Sequence, residues 1–362
     1  MKATSIILII LYFVAFILGG YFFYTRYYKK IISPEVSKPV ENKTEYIYYS
    51  SDNNLYQLNP GILKQSPKDI TNIRLQSTGQ VSNMVVAKEE GLFFYDSLTP
   101  ENTWEIWKVS LKDNSSEKLF SSQTPGLENF QNFRNPQISK DNQKLAFIAT
   151  HNTDNLFYYD LKNTSLINLT GQLFQGNIGS FSWSPDSKKL FFSSSTEDLG
   201  AIYQVDTNKK LEKLWEGQGK INKIIAVKDK IIFSQQEKNS DDANINLNIL
   251  ALSDNKKQAI TDLSFPKQAA NFETTINGDY IVLETKDKSQ AKSDLYLLKN
   301  DGTNLLQLTD DGLSSQAVFS PDGSKIAFWV QGDGIYIMNI NKSQRQKILN
   351  NQESIYKILI WS

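Results

Sequence analysis

The sequence SQAVFSPDGSKIAF, which occupies residues 315 to 328, contains two short apolar runs on either side of a tight turn. The turn consists of Ser320, Pro321, Asp322 and Gly323. Proline restricts φ at the second turn position, and glycine is free to adopt a positive φ at the fourth, as a tight turn between antiparallel strands requires. The stretch therefore predicts a β-hairpin.

Copies of this hairpin recur along the chain. Its second strand can be aligned seven times, at residues 45–50, 91–95, 144–148, 189–192, 230–234, 279–283 and 325–329. All copies except the first have a strand before the turn, and a third and a fourth strand follow each copy. The repeat is a four-stranded unit of roughly 42 to 52 residues, the length expected of a propeller blade. Because no helical periodicity of useful length is found after residue 44, the domain is predicted to be all-β.

The strand that the first copy lacks is found at the C-terminus. The final stretch, 355–362, ends in Trp361-Ser362, which matches Trp183-Ser184 and Phe319-Ser320 before the turns of other copies. Pairing this strand with the first copy would close the ring and remove its open sheet edges. We therefore predict a seven-bladed β-propeller of four-stranded antiparallel blades. Six blades remain the alternative, because the fifth copy is the least regular.

The N-terminal segment predicts a membrane anchor. Residues 5 to 24 are apolar and uncharged, and at about 1.5 Å per residue they can cross a bilayer as one helix. Lys2 precedes the segment, and its exit is rich in tyrosine and basic residues: Tyr21, Tyr24, Arg26, Tyr27, Tyr28, Lys29 and Lys30. A cleaved signal peptide is the alternative. The length of the run, the bulky residues at its exit and the lack of an Ala-x-Ala site favour a retained anchor.

These features divide the chain into an anchor with its flanking basic residues at 1–30, an extended spacer with Pro34 and Pro39 at 31–43, and a propeller at 44–362. The positive-inside rule does not decide the orientation, because basic residues lie on both sides of the apolar run. The short N-terminal tail favours an N-in, C-out topology. The prediction is a single-pass membrane protein whose propeller lies outside the cytoplasm.

Composition excludes several functional classes. Lys and Arg together number 39, as do Asp and Glu, so the chain lacks the basic footprint of a nucleic-acid-binding protein. It has no cysteine, which excludes disulfides, thiolate metal sites and thiol nucleophiles. Because His151 is the only histidine, a Ser-His-Asp triad could be built only around it, and a two-histidine metal site is impossible.

Motifs for catalysis and cofactor binding are missing from the sequence. Gly-x-Ser-x-Gly, Walker A, His-Glu-x-x-His and Gly-x-Gly-x-x-Gly patterns do not occur. We therefore predict no catalytic residues, no cofactor and no metal site, with His151 in a solvated loop after the strand at 144–148. A glycan-binding propeller, or a glycan-active one that uses only carboxylates, is an alternative, because the two acids of such an active site can lie on any two blades.

Two blades carry a recognisable repeat. Residues 184–192, SPDSKKLFF, followed by 202–206, IYQVD, resemble the repeat of TolB-like or WD-repeat-like β-propellers, as do 320–328 followed by 334–337. The resemblance covers the propeller and not the anchor. The resemblance implies the propeller fold but not one particular function. Similar propellers serve the Tol-Pal envelope system, cap prolyl-oligopeptidase-like hydrolases and act as separate binding domains. In contrast to the TolB pattern, no α/β domain is expected between the N-terminal segment and the propeller, so Pal is not carried over as a partner.

Loop lengths indicate a binding face. Turns between first and second strands and between third and fourth strands are short. Longer loops follow second strands, at 97–103, 235–244 and 286–293, or connect blades, at 122–133 and 171–179. In a propeller these two classes emerge on one face, here called the long-loop face, and long loops on a rigid scaffold commonly carry binding.

We expect the long-loop face to bind another protein of the cell envelope. The candidate contacts are aromatic and acidic residues in or beside the long loops: Trp104, Phe130, Phe133, Phe174, Asp241 and Asp242. The alternative for each aromatic ring is packing in the groove between blades. A purely structural ring is an alternative function that the sequence does not separate from partner binding.

Overall fold

A computed structural model describes residues 45–51, 54–61, 71–74, 80–87, 92–110, 115–236, 245–261, 267–287, 290, 292–350 and 357–361. All of them belong to one compact unit, Glu45–Ser362. The predicted anchor at 1–30 and spacer at 31–43 lie outside the described residues. In the part of the chain that is described, no helix is long and apolar enough to span a membrane.

The described strands form seven antiparallel sheets of four strands each, one sheet per blade. Blade 1 consists of β1 (Ile47–Ser51), β2 (Asn54–Leu58), β3 (Thr71–Arg74) and β28 (Lys357–Trp361). Blade 2 consists of β4 (Gln80–Ala87), β5 (Leu92–Leu98), β6 (Trp104–Ser110) and β7 (Ser115–Ser121). Blade 3 consists of β8 (Gln131–Ile138), β9 (Lys144–His151), β10 (Thr153–Asp160) and β11 (Ser165–Asn168).

The remaining four blades follow the same order from the inner to the outer strand. Blade 4 consists of β12 (Phe181–Trp183), β13 (Lys189–Ser195), β14 (Leu199–Asp206) and β15 (Leu211–Gln218). Blade 5 consists of β16 (Lys220–Val227), β17 (Lys230–Gln236), β18 (Ile245–Ala251) and β19 (Lys257–Ala259). Blade 6 consists of β20 (Lys267–Thr274), β21 (Tyr280–Asp287), β22 (Lys292–Lys299) and β23 (Leu306–Gln307). Blade 7 consists of β24 (Ser314–Phe319), β25 (Lys325–Val330), β26 (Gly334–Asn339) and β27 (Gln346–Asn350).

The C-terminal strand closes the ring. β28 is the inner strand of blade 1, where it pairs with β1 and places Trp361 opposite Ile47. It also contacts the inner strands on both sides, β24 and β4. The Trp361 indole is buried and donates to the Glu45 carboxylate at 2.9 Å. The predictions of seven blades and of a C-terminal strand in blade 1 are confirmed, and the six-bladed alternative is excluded.

The turn that repeats along the chain has the predicted chemistry. In blade 7, Gly323 adopts a φ of 73° and its amide donates to the Ser320 carbonyl at 2.9 Å. The Asp322 carboxylate accepts from the Ser320 hydroxyl at 2.7 Å and from the Ser324 amide at 2.9 Å. The same serine–aspartate bond recurs in blades 3 and 4, between Ser139 and Asp141 and between Ser184 and Asp186. These aspartates therefore cap the turn backbone, as Asp residues in turns commonly do.

A repeated Leu-Thr or Ile-Thr pair follows the fourth strand in three blades. Each threonine is buried, and its hydroxyl accepts from a backbone amide of the third strand at 2.8 to 2.9 Å: Thr170 from Leu156, Thr261 from Leu247 and Thr309 from Leu295. The strands β11, β19 and β23 end just before these pairs, so the threonine hydroxyls hold the chain where it leaves the fourth strand.

The hydrophobic core is divided between the blades. Seven clusters of buried side chains each join two neighbouring blades, including blade 7 with blade 1. Apolar contact between sheets is the main stabilising term in such a fold, and a closed ring leaves no unpaired blade face.

Two details differ from the prediction. His151 is the last residue of β9, opposite Thr153, and not a loop residue, because Asn152 makes the hairpin turn with a φ of 59°. The loops expected at 97–103 and 286–293 are shorter, because β5 and β21 continue to Leu98 and Asp287. In the loop expected at 235–244, residues 237–244 lie outside the described part.

Candidate functional site

The two loop classes of the long-loop face are joined by backbone hydrogen bonds. In two places a loop after a second strand bonds a loop between blades, at 2.9 to 3.0 Å: Gly219 N to Asp198 O and Gln331 N to Leu313 O. In a third place, Asp154 N near the start of β10 donates to Gly176 O of a loop between blades at 3.1 Å. The predicted sharing of one face is therefore observed in the described loops. Loops that support each other in this way form one surface and lose less conformational freedom on binding than isolated loops do.

The loop at residues 122–130, between blades 2 and 3, is ordered by its own backbone. The Thr124 amide donates to Ser121 O at 2.9 Å, the Leu127 amide to Thr124 O at 2.9 Å and the Phe130 amide to Leu127 O at 2.8 Å. The Leu127 side chain is fully buried and fastens the middle of the loop. Glu128, next to it, is exposed. The loop therefore presents polar residues from a fixed position.

A buried ion pair lies under this face, between blades 3 and 4. The Arg134 guanidinium donates to the Asp154 carboxylate at 2.6 Å and to the Ile178 carbonyl at 3.3 Å. Asp154, whose side chain is 6% exposed, also accepts from the Thr150 hydroxyl and from the Ile178 amide, both at 2.7 Å. The charges are thus compensated and fully hydrogen-bonded, which a buried ion pair requires. This network fixes the loop between blades 3 and 4.

His151 lies at the edge of the long-loop face. Its side chain is exposed, and Nδ1 lies 2.9 Å from the Asn129 carbonyl oxygen. Because a carbonyl only accepts, Nδ1 carries the proton in this contact. The imidazole also lies 5.5 Å from the Phe130 ring, centroid to centroid. Neither contact is the carboxylate or hydroxyl that a catalytic triad would need.

Two of the aromatic residues that were predicted to contact a partner are buried in the hydrophobic core. Phe133 is fully buried and lies 5.4 Å from the Phe147 ring. Phe174 is 7% exposed and meets Phe192 edge to face at 5.1 Å. The alternative stated for each ring, packing between blades, describes both residues. Phe130 is half-buried, so part of its ring is accessible on the long-loop face.

The remaining residues predicted to contact a partner are Trp104, Asp241 and Asp242. Trp104 is half-buried, packs on the cluster between blades 2 and 3, and its amide donates to the Ser122 hydroxyl at 3.2 Å. Asp241 and Asp242 lie outside the described residues. Glu105, beside Trp104, accepts from the Trp107 indole at 2.7 Å and from Lys118 at 3.0 Å. The exposed ring with two free acids that a glycan-active site would require is not found around Trp104 in the described residues.

Exposed leucines on the long-loop face were not predicted. Leu173, in a short 3-10 turn at Gly171–Leu173, is 55% exposed, Leu199 is 43% exposed and Leu313 is 44% exposed. All three lie in or beside loops of this face. In the sequence, each of these residues is a single leucine within or beside a polar loop. Such a pattern does not distinguish a buried side chain from an exposed one.

The inner strands line a central channel. Residues such as Trp183, Ala226 and Phe319 point into the cores between blades and are buried. Six residues at the preceding position of the inner strands are partly exposed: Val85, Gln137, Ile225, Glu273, Val318 and Ile360. Only Glu273 among these six carries a charge.

Glu273 is paired with a lysine of the neighbouring blade. The Lys223 ammonium of β16 donates to the Glu273 carboxylate at 2.6 Å, to the Asn271 side-chain oxygen at 2.9 Å and to the Phe272 carbonyl at 2.7 Å. An ammonium has three donors, so Lys223 is fully engaged. The contact joins the inner strands of blades 5 and 6 and balances the two charges.

Lys140 is a lysine whose surroundings disfavour its charge. It lies in the turn after β8, and its side chain is accessible to water. Dehydration by the surrounding protein lowers the pKa of Lys140, and the negative charge of Glu273 opposes this effect. Lys140 belongs to a turn of blade 3, and Glu273 belongs to the inner strand of blade 6. Among the described residues, the Lys140 ammonium has no hydrogen-bond or ion-pair partner.

No protein-family model and no curated protein matches the sequence. Similar solved structures include TolB from Acinetobacter baumannii, at 17% identity and a TM-score of 0.53, covering 75% of this chain and 66% of that one. The chain has a TolB-like β-propeller fold. The match spans just under two thirds of the Acinetobacter protein.

Other proteins with this TolB-like fold are enzymes. Oligogalacturonate lyase from Vibrio parahaemolyticus matches at 12% identity and a TM-score of 0.57, covering 84% of this chain and 85% of that one. Acylaminoacyl peptidase from Pyrococcus horikoshii matches at 17% identity and a TM-score of 0.57, covering 75% of this chain and 46% of that one. At these identities the likeness shows the fold and leaves the activity open. Within the described part of this TolB-like propeller, no group of three or more acidic or histidine side chains could hold a metal ion.

Proposed function

We propose that the chain is a membrane-anchored, non-catalytic propeller outside the cytoplasm that binds another protein of the cell envelope through its long-loop face. The observation that carries this proposal is the exposure of Leu173, Leu199 and Leu313 in or beside loops held by hydrogen bonds. Apolar side chains on a fixed surface lose little entropy on association and gain free energy when a partner covers them. A folded TolB-like scaffold provides the rigidity that such a surface needs.

The chemistry of the described residues supports a binding function. The only histidine bonds a backbone carbonyl and contacts a phenylalanine. The turn aspartates, the most motif-like acids in the sequence, are bonded to serines of the same turns. These groups are engaged in local structure, so they support the fold and not a reaction.

The proposed anchor rests on the sequence of residues 5–24, and the proposed location follows from it. A tether beside a membrane would keep the propeller close to envelope partners and raise their effective concentration. The weak contacts that a few exposed leucines provide would then be sufficient.

The test uses the full chain in its native membranes, with cross-linking followed by identification of the captured proteins. The variant Leu173→Asn/Leu199→Asn removes two exposed leucines from the long-loop face. Ile276→Asn is the matched control, since Ile276 is 67% exposed but lies in a turn on the opposite face. We expect the double variant to lose a partner that the wild type and the control retain. Equal recovery by all three proteins would refute the assignment of the face.

A further inference from the structure

The part of the long-loop face over blades 2 to 4 is one connected surface. Its segments are residues 99–103, 122–130, 151–153, 171–179 and 196–199. Each segment, or the strand residue beside it, is joined to the next by a hydrogen bond of 2.8 to 3.1 Å: Ser122 N to Trp104 O, His151 Nδ1 to Asn129 O, Asp154 N to Gly176 O and Gly179 N to Ser193 O. We name it the blade 2–4 surface.

The blade 2–4 surface carries negative charge. Its five segments contain four exposed acids, Glu101, Glu128, Glu197 and Asp198, and no lysine or arginine. Apart from these acids, His151 is the only titratable side chain in the segments. The carboxylates of Glu101, Glu128 and Glu197 have no ion-pair partner among the described residues.

The basic groups that border this surface do not neutralise it. Arg134 lies beneath the loops and is bound to Asp154 at 2.6 Å. Lys118, in the outer strand β7, is bound to Glu105 at 3.0 Å. Lys220, at the start of β16, is exposed and lies at the border toward blade 5. One exposed lysine does not balance four carboxylates, so the surface keeps a net negative charge.

Exposed leucines lie within the same surface. Leu173 is 55% exposed, and Leu199, which directly follows two of the acids, is 43% exposed. The setting of Leu313, the third exposed leucine of the long-loop face, is different, because the Lys292 side chain lies against the neighbouring Gly312. Negative charge and accessible apolar side chains therefore occur together, without lysine between them, over blades 2 to 4.

We propose that the blade 2–4 surface binds a segment of the partner protein in which lysine or arginine residues lie beside apolar side chains. This inference rests on the proposed partner-binding role of the long-loop face and adds the chemistry of the partner. Complementary charge speeds association and suppresses acidic partners, whereas covering the leucines provides most of the affinity. The same charge would repel a nucleic acid or an anionic lipid surface.

The test measures the binding of fluorescent peptides to the full chain in nonionic detergent micelles by fluorescence anisotropy. The probe is an amphipathic peptide of leucine and lysine with about 14 residues, roughly four helical turns. A leucine–glutamate peptide with the same spacing tests the sign of the charge, and a serine–lysine peptide tests the need for apolar side chains. Empty micelles give the background for each peptide.

The charge variant is Glu128→Gln/Glu197→Gln. Glutamine keeps an oxygen for the 2.8 Å bond that the Gly126 amide donates to Glu128, so the loop should retain its structure. Asp229→Asn/Glu212→Gln is the matched control, because it removes two exposed carboxylates from a turn of blade 5 and from the outer strand of blade 4. Far-UV circular dichroism confirms folding, and Glu197→Gln alone replaces the charge variant if that variant does not fold.

We expect the wild type and the control to bind the leucine–lysine peptide saturably. The charge variant should bind it about fivefold more weakly, since exposed ion pairs contribute modestly. Raising sodium chloride from about 50 to about 200 mM should weaken binding to the wild type. The serine–lysine peptide should bind more weakly, and the leucine–glutamate peptide should not exceed the background. Equal affinity of the wild type and the charge variant, or equal binding of the leucine–lysine and leucine–glutamate peptides, would overturn the proposal.

The variant Leu173→Asn/Leu199→Asn separates this inference from the proposed function. If it loses the leucine–lysine peptide while the charge variant keeps wild-type affinity, the surface binds through apolar contacts, and the basic chemistry assigned to the partner is wrong. If the peptide binds as expected but no partner is captured from native membranes, the envelope role fails and the chemistry of the surface stands.

Discussion

Replacing Trp361 by alanine is expected to weaken the closure of the ring. Trp361 belongs to β28, the strand that the C-terminus contributes to blade 1, and it is 2% exposed. Its side chain lies in the cluster between blades 7 and 1 together with Ile47 and Leu349, and its indole nitrogen bonds Glu45 at 2.9 Å. The substitution therefore removes packing from the only contact that joins the two ends of the propeller sequence in one sheet.

The magnitude follows from burial. Truncating a buried tryptophan to alanine costs about 3–5 kcal/mol, which combines lost transfer free energy with a cavity. The lost bond to Glu45 adds little, because Glu45 is half-buried and water can hydrate its carboxylate. A loss of about 4 kcal/mol, at roughly 2 °C per kcal/mol for a domain of this size, lowers the unfolding midpoint by about 8 °C.

Thermal unfolding and amide hydrogen exchange test this together, with Trp183→Ala as the matched control. Trp183 is equally buried and occupies the corresponding position in blade 4. Both variants should lose similar stability, but the amides of β1 should exchange faster only in Trp361→Ala, because β1 pairs with β28. The reasoning fails if the midpoint of Trp361→Ala stays within about 2 °C of the wild type, or if exchange in β1 is unchanged.

Three further predictions concern single contacts. Arg134→Met should lower the free energy of unfolding in urea by about 3 kcal/mol, since it leaves the Asp154 carboxylate buried without its cation, and Arg134→Met/Asp154→Leu should recover part of this loss. Lys140→Met should raise the unfolding midpoint at pH 7. The folded-state pKa of Lys140 is lowered, so its charge costs stability below that pKa, and the gain should vanish as the pH approaches about 10.4, where the unfolded lysine also loses its proton. Gly302→Ala should destabilise more than Gly332→Ala by at least about 1 kcal/mol. Both glycines have a positive φ, but a β-carbon at 302 would lie 2.6 Å from a carbonyl oxygen of blade 5, whereas position 332 is open; equal losses would contradict this.

Much of the architecture could be predicted because its signals are local. The turn that begins at Ser320 contains a residue that restricts φ, a carboxylate that caps the backbone and a glycine with positive φ. All three features can be predicted from the four residues of the turn. When the repeats are aligned on that turn, Trp361 at the C-terminus occupies the position before the turn. The second strand of its hairpin then begins near residue 45. The closure of the ring then follows from the need to pair both strand edges.

The surface could not be predicted in the same way, because exposure depends on neighbours distant in sequence. Phe133 and Leu173 both belong to regions that the sequence marked as long loops. Phe133 lies in the inner strand β8 and is covered by blade 2, whereas Leu173 lies in a short 3-10 turn and is 55% exposed. An alignment of the repeats does not predict which of these two side chains is buried, because the copies differ most in the loops between blades.

Lys140 departs from the turn chemistry of two other blades. Proline occupies the corresponding turn position in blades 4 and 7, at Pro185 and Pro321, and the Lys140 amide donates to no carbonyl among the described residues. Lys140→Pro should therefore be compatible with the turn and stabilise the propeller by about 0.4–1 kcal/mol through lower entropy of the unfolded chain, in addition to the gain from removing the charge. Thermal unfolding of the variant and of the wild type measures this change. A less stable variant would show that the turn of blade 3 requires a residue other than proline.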